Sequence, residues 1–400
     1  MKSTANQVQL DAAQEQLFSR FDKAWQTLIH ASGIGMIFDA DADGMAAARI
    51  ASYALERQRA GIIQSRNTST ERDFLSDAFI DECATKGVDT FLALDYDPVS
   101  YGDYRRIHEH PYYKDRDWNL VIIDHHPITE QVDRNVVRVN PHGVKHPYGT
   151  RYCTAKLCYD LFGEKLDVSQ MAWIAAAGVI GDHAMEAWHE FLMQTAQKYG
   201  INEYSTRQVH APSHYDMDEL TRWFRSPFAR IITIINCARA YNSEKVREVS
   251  TLLGTLTSWK DARDLQNPYR IVQESVEHYC RNFKELSRID EEYKVVWLEI
   301  TDEFAISSWV SSIISNQMPE YVFLVYQQRK DIVAISARCQ AQVVDCGKLM
   351  RAACKPIDGA AGGGHVPAAG AKVPVNQFDR FTKDIYSMLP AFQKSNKRHK

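Results

Sequence analysis

The chain has 400 residues, with 47 Lys+Arg against 51 Asp+Glu, for a formal net charge of −4. Its 45% hydrophobic and 24% charged residues suit two or three packed domains and exclude a largely disordered, collagenous or low-complexity protein. Charge is unevenly spread, net +8 over residues 321–400 and −12 over the rest, so the C-terminal part is the one suited to a polyanion.

The polar N-terminus, MKSTANQVQLDAAQEQ, lacks the apolar core of a signal peptide, and a cytoplasmic protein is expected. Leu10, Ala13, Leu17, Phe21, Trp25, Leu28 and Ile29 recur at helical spacing, which predicts an amphipathic helix over Leu10–His30. After Gly33, Ile34–Phe38 (IGMIF) reads as a buried strand and alanine-rich Met45–Ala60 as a helix. Two more short apolar runs, Thr90–Leu94 and Asn119–Ile123, read as strands. Strands alternating with helices predict an α/β fold with a doubly wound parallel sheet. Helices are expected at Thr154–Phe162 and Val168–Gly178. The longest nearly uninterrupted apolar run, Met171–Gly181, has 11 residues, too few to span a bilayer, so no membrane partner is expected.

Residues 186–288 hold few strand-like runs and several helix-forming ones, such as Ser243–Leu253 and Ser275–Leu286. They read as a helical insertion or connector that restricts a cleft, recruits a partner or makes a homodimer contact. Strand signals return at Tyr293–Ile300, Tyr321–Tyr326 and Ile332–Ala337, marking a smaller C-terminal α/β domain. The expected division is 1–185, 186–288 and 289–400. The basic stretch KSNKRHK at 394–400 reads as a solvated terminus. The eight cysteines form no C-x-x-C pair, so they read as reduced and mostly buried, with function lying elsewhere.

Three successive strand signals end in carboxylates: Asp39-Ala40-Asp41-Ala42-Asp43-Gly44, Asp95-Tyr96-Asp97 and Asp124-His125-His126. In open α/β sheets the loops at the carboxyl ends of strands form the ligand crevice, and parallel neighbours lie about 4.8 Å apart. Acids gathered this closely repel one another unless cations intervene. The two imidazoles after Asp124 are expected to be buried beside it, which is costly without a ligand or partner. Oxygen ligands suit Mg²⁺ or Ca²⁺, and the added histidines move the preference toward Mn²⁺. An EF-hand is excluded, because position 12 counted from Asp39 is Ile50 rather than glutamate. Gly362-Gly363-Gly364 allows close approach of backbone to a phosphate, with Arg338 and His365 as directed donors.

IFDADADG, LALDYDP, VIIDHHP and GVIGDH resemble, in order, the motifs of the DHH phosphoesterase superfamily over Gly33–His183. AGGGHVPAAGAKV, VVDCGKLMRAA and Arg338 resemble its DHH-associated C-terminal domain. The D-x-D-x-D-G form of the first motif is similar to that of RecJ exonucleases. The resemblance implies two Mn²⁺ ions (Mg²⁺ as the alternative), one held by Asp39 and Asp41, the other by Asp43, His125 and Asp182, with Asp95 bridging. It implies His126 as a proton donor or phosphate contact, and Asp124 as the group orienting a histidine. Arg338, Gly362, Gly363, Gly364 and His365 would bind substrate, facing the metals across an interdomain cleft. Three functions stay open: an exonuclease or oligonucleotidase on single-stranded nucleic acid, a hydrolase of polyphosphate, pyrophosphate or small nucleotide phosphoesters, and a non-catalytic replication or repair scaffold.

Overall fold

The computed structural model describes residues 2–58, 62–67, 75–100, 102–128, 130, 135–201, 223–224, 226–256, 260, 270–364 and 366–392. His365 and the basic stretch 394–400 lie outside the described residues. The chain divides into two compact units, Met1–Asn267 and Pro268–Lys400.

The first unit runs α1 (Lys2–Ile29), β1 (Ile34–Phe38), α2 (Ala42–Arg57), β2 (Ile62–Asn67), α3 (Asp77–Thr85), β3 (Thr90–Leu94), α4 (Tyr104–Glu109), β4 (Asn119–Ile123) and β5 (Val136–Val139). It continues with α5 (Thr154–Gly163), α6 (Ala172–Gly181), α7 (His189–Lys198), α8 (Ala229–Tyr241) and α9 (Ser243–Thr255). Its sheet has five parallel strands in the order β2-β1-β3-β4-β5. β1 and β3 are apolar and buried throughout, as central strands covered on both faces must be. On one face Ile37, Phe91, Ala93, Leu120 and Ile122 pack with Phe79, Ile80 and Cys83 of α3 and with Tyr113 and Trp118. Elsewhere α1 lies against β4 and β5, and α2 against β1, α5 and α6.

α2 starts three residues earlier than the expected Met45, because Asp41 caps it: its carboxylate accepts from the N–H groups of Asp43 and Gly44, both at 3.0 Å. α6 begins at Ala172 after a 3-10 turn over Ser169–Met171 and runs on to Gly181. That extension carries Asp182 to the sheet edge. Glycine makes the approach close. A Cβ on Gly178 would stand 2.4 Å from the Ala155 Cβ and 3.0 Å from Asp43 Oδ1, and one on Gly181 2.6 Å from the Ala42 Cβ.

The second unit runs α10 (Arg270–Leu286), β6 (Ser287–Asp290), β7 (Val295–Glu299), α11 (Ser307–Ile314), β8 (Val322–Arg329), β9 (Ile332–Arg338), α12 (Cys346–Cys354), β10 (Ala361–Gly364), β11 (Ala368–Pro374) and α13 (Phe378–Phe392). Its six strands lie in the order β10-β11-β9-β8-β7-β6, antiparallel except for the β7–β8 pair. Leu349, Met350 and Ala353 of α12 and Phe381, Ile385 and Leu389 of α13 are buried in one core with Val295, Leu324 and Ile335. Each large side chain buried in this way contributes about 1.5–3 kcal/mol. Of the helices in the stretch 186–288, α7 to α9 belong to the first unit and α10 to the second.

Candidate metal centre

The three acidic loops are fixed by a shared backbone device. The N–H of Asp39 donates to the Leu94 carbonyl (3.2 Å), that of Asp95 to Ile123 (3.0 Å) and that of Asp124 to Val139 (3.2 Å). Each carboxylate-bearing residue therefore makes the last ladder bond of its strand, and the acids emerge together at one sheet edge. Asp95 turns out of β3 with φ 56°, a left-handed conformation uncommon for a residue with a side chain.

Among the described residues the donors fall into three groups, each with potential ligand atoms within 4.8 Å of one another: Asp39, Asp41 and Asp95; Asp43, Cys153 and Asp182; Asp95, His125 and His126. Asp43 and Asp95 are buried, and Asp39, Asp41 and Asp182 partly so. Asp43 accepts from the N–H groups of Thr154 (2.7 Å) and Ala155 (2.8 Å), the first residues of α5, and the Thr154 hydroxyl donates to Asp95 at 2.9 Å.

The two histidines differ, although both were expected to be buried. His125 is buried, its Nδ1 2.5 Å from the Thr150 carbonyl. That contact leaves Nε2 facing Asp95 (3.3 Å) and Asp43 (3.8 Å). His126 is half exposed, since it lies one residue further from the strand. Its Nδ1 is held by Asp124 at 2.8 Å, and Asn140 donates to its carbonyl at 2.9 Å.

Electrostatics agrees with the crowding. Burial, reinforced by the charges of Asp41 and Asp95, pushes the Asp39 carboxyl up to about 7. Burial pushes Asp182 up to about 7 as well, against the opposing charge of His125, and raises Asp41 and Asp43. At Asp95 burial is outweighed by the hydrogen bond and charge of His125, so its carboxyl is lowered. At His126 burial is outweighed by Asp124, and the imidazolium persists to about 9. Carboxylates held above their usual range, around an imidazole nitrogen whose ring partner is already satisfied, form a donor set that fits divalent cations.

Residues 290–389 match the DHHA1 domain family. In fold the chain is similar to RecJ of Thermus thermophilus in complex with Mn²⁺, with a TM-score of 0.69 and 18% identity over 94% of this chain and 55% of that one. It is also similar to the exonuclease RecJ bound to manganese (TM-score 0.61, 18% identity, 94% of each chain). A third likeness is to the DHH domain of a protein from a family of ribosomal proteins (TM-score 0.69, 16% identity, 96% of this chain and 93% of that one).

The chain has the DHH fold and carries a DHHA1 domain. It spans about half the length of the Thermus RecJ chain, 55%. No curated protein matches it in sequence.

Within the DHHA1 domain the glycine run is the edge strand β10 rather than a loop, paired with β11 through Gly362–Ala371, Gly363–Gly370 and Gly364–Ala369. Close packing on α12 explains it: a Cβ on Gly362 would lie 2.7 Å from the Met350 carbonyl oxygen and the Cys354 sulfur. Gly364 has φ 142°, where a side chain would be strained. Arg338 pairs with Ala368 on the other side of β11, so β11 separates it from the glycines. Its guanidinium is partly buried, with Nε lacking a hydrogen-bond partner among the described residues.

Sequence reasoning missed several participants. Arg239 of α8 supplies the positive charge that opposes the rise at Asp39 and Asp41. Thr154 and the Thr150 carbonyl orient ligands, and Cys153 stands in a donor group. Asp97 stays out of the donor groups: it accepts from the Val99 N–H (3.0 Å) and the Ser100 hydroxyl (3.0 Å) and pairs with Arg138 at 2.8 Å, shaping the loop after Asp95.

Proposed function

We propose that this protein is a metal-dependent phosphoesterase that hydrolyses phosphodiester bonds of single-stranded nucleic acid or oligonucleotides, with Mn²⁺ (or Mg²⁺) as its metal, in the cytoplasm. The observation that carries this reading is the convergence of Asp39, Asp41, Asp43, Asp95, His125 and Asp182 at one sheet edge, with the half-exposed His126 beside them. Asp39, Asp41 and Asp95 would hold one ion, and Asp43, His125, Asp182 and the shared Asp95 a second. Ions bound there would polarise a water and neutralise the charge of the attacked phosphate.

The protein's own groups do the rest. Asp124 holds His126 by Nδ1, which leaves Nε2 as the nitrogen for a substrate contact. The imidazolium, stable to about 9, can then donate a proton or hydrogen bond to a phosphate or leaving oxygen at neutral pH. Thr154 and the first turn of α5 keep Asp43 and Asp95 from rotating. Arg338 and Gly362–Gly364, with His365, would bind phosphates of the substrate.

The basic 321–400 segment, net +8, and the D-x-D-x-D-G form of the first motif favour nucleic acid. The net −12 of the remainder favours the second reading, polyphosphate or a small nucleotide phosphoester, at the same centre. Among the described residues the metal donors are all present, which disfavours a non-catalytic scaffold. Purified protein with Mn²⁺ should release mononucleotides from labelled single strands and leave polyphosphate and dinucleotides intact. Phosphate release from polyphosphate alone would establish the second reading instead.

A further inference from the structure

One end of the metal centre contains a side chain that belongs to none of the acidic motifs. Cys153 is fully buried, and its Sγ shares a donor group with the carboxylate oxygens of Asp43 and Asp182, the ligand atoms all lying within 4.8 Å of one another. The placement is rigid for a structural reason. Cys153 is the residue immediately before α5, and the next two backbone N–H groups, Thr154 and Ala155, hold the Asp43 carboxylate at 2.7 and 2.8 Å. The same turn of chain therefore sets both the oxygen and the sulfur, and cysteine has a single side-chain torsion with which to depart.

Resting on the two-ion reading above, we infer that Cys153 is a sulfur ligand of the ion held by Asp43 and Asp182. On binding, the sulfur lone pair forms the metal–sulfur bond and the thiol proton passes to solvent, with no change of oxidation state. The consequence is selectivity. Oxygen and imidazole ligands alone suit Mn²⁺ and Mg²⁺, whereas a thiolate in the set draws thiophilic ions such as Zn²⁺ and Cd²⁺. This end of the centre thus binds soft ions more tightly than its carboxylates alone would, and Zn²⁺ competes with Mn²⁺ there.

Cobalt reports the sulfur without reference to turnover. The full chain, stripped with chelator and titrated with Co²⁺, should show weak visible d–d bands together with an intense near-ultraviolet sulfur-to-cobalt band. Cys153→Ser should lose the near-ultraviolet band and keep the visible ones, and Cys153→Ala should behave alike. The seven other cysteines remain in both variants, so a band arising from any of them would survive. Visible bands without the near-ultraviolet band in the unsubstituted protein, or a band that persists in both variants, overturn the assignment of Cys153 alone. Absence of every cobalt band overturns the metal centre and this inference together.

Discussion

His126 is the residue whose chemistry separates most cleanly from metal binding. It is half exposed and tethered by Asp124, and its imidazolium persists to about 9. His126→Ala should lower kcat by about 10²–10⁴ while leaving bound metal unchanged. The proton-donating form is the active one, so the rate of the unsubstituted enzyme should fall as pH passes about 9, a limb missing from the variant. Steady-state rates across pH with metal content measured in parallel check both. Asp43→Asn tests the ligands: it keeps an oxygen for one N–H of α5 and removes the charge, so metal binding should weaken and turnover fall by at least about 100-fold without loss of fold. Isothermal titration with Mn²⁺ and circular dichroism decide it. These residues were legible because each acid follows an apolar run and a ligand crevice opens at strand ends. Arg239, Thr154 and Cys153 were not, since a residue brought in from a distant helix carries no local mark of the charge it meets.

The central strands β1, β3 and β4 have the bounds their apolar runs imply, Ile34–Phe38, Thr90–Leu94 and Asn119–Ile123. The edge strands β2 (IIQSRN) and β5 (VVRV) escaped sequence reading, being polar or short, and so did β10 (AGGG) and β11 (AAGAKVP), whose glycine and alanine have low strand preference. Their pairing is decided by neighbours rather than by composition. At this scale the close packing of α6 on α2 and α5 is what delivers Asp182 to the centre. Gly178→Ala would place a methyl 2.4 Å from the Ala155 Cβ and 3.0 Å from Asp43 Oδ1, forcing the helices apart. It should cost about 1–3 kcal/mol of stability and weaken metal binding, checked by urea unfolding and Mn²⁺ titration.

At the scale of the whole molecule, stability and metal binding are linked through the raised carboxyls. Unfolded, Asp39 and Asp182 lose their protons near 3.8; folded, they keep them to about 7, so metal-free stability must fall as pH rises between those values. The stabilising contribution of His126, complete below 6.5, is lost as pH rises through about 9, in the same direction. Ions relieve the repulsion, so Mn²⁺ should raise Tm far more at a pH of about 8 than at about 5, and an equal gain at both would contradict the linkage. Among the described residues no helix is long and apolar enough to cross a membrane, consistent with the short apolar runs of the sequence. The claim beneath all of these expectations is that the acidic sheet edge exists to hold a pair of ions. Anomalous diffraction from crystals soaked in Mn²⁺ measures it directly. Two peaks about 3.5–4 Å apart are expected, one against Asp39, Asp41 and Asp95 and the other against Asp43, His125 and Asp182. No manganese among these side chains, or manganese only on the outer surface, would contradict it.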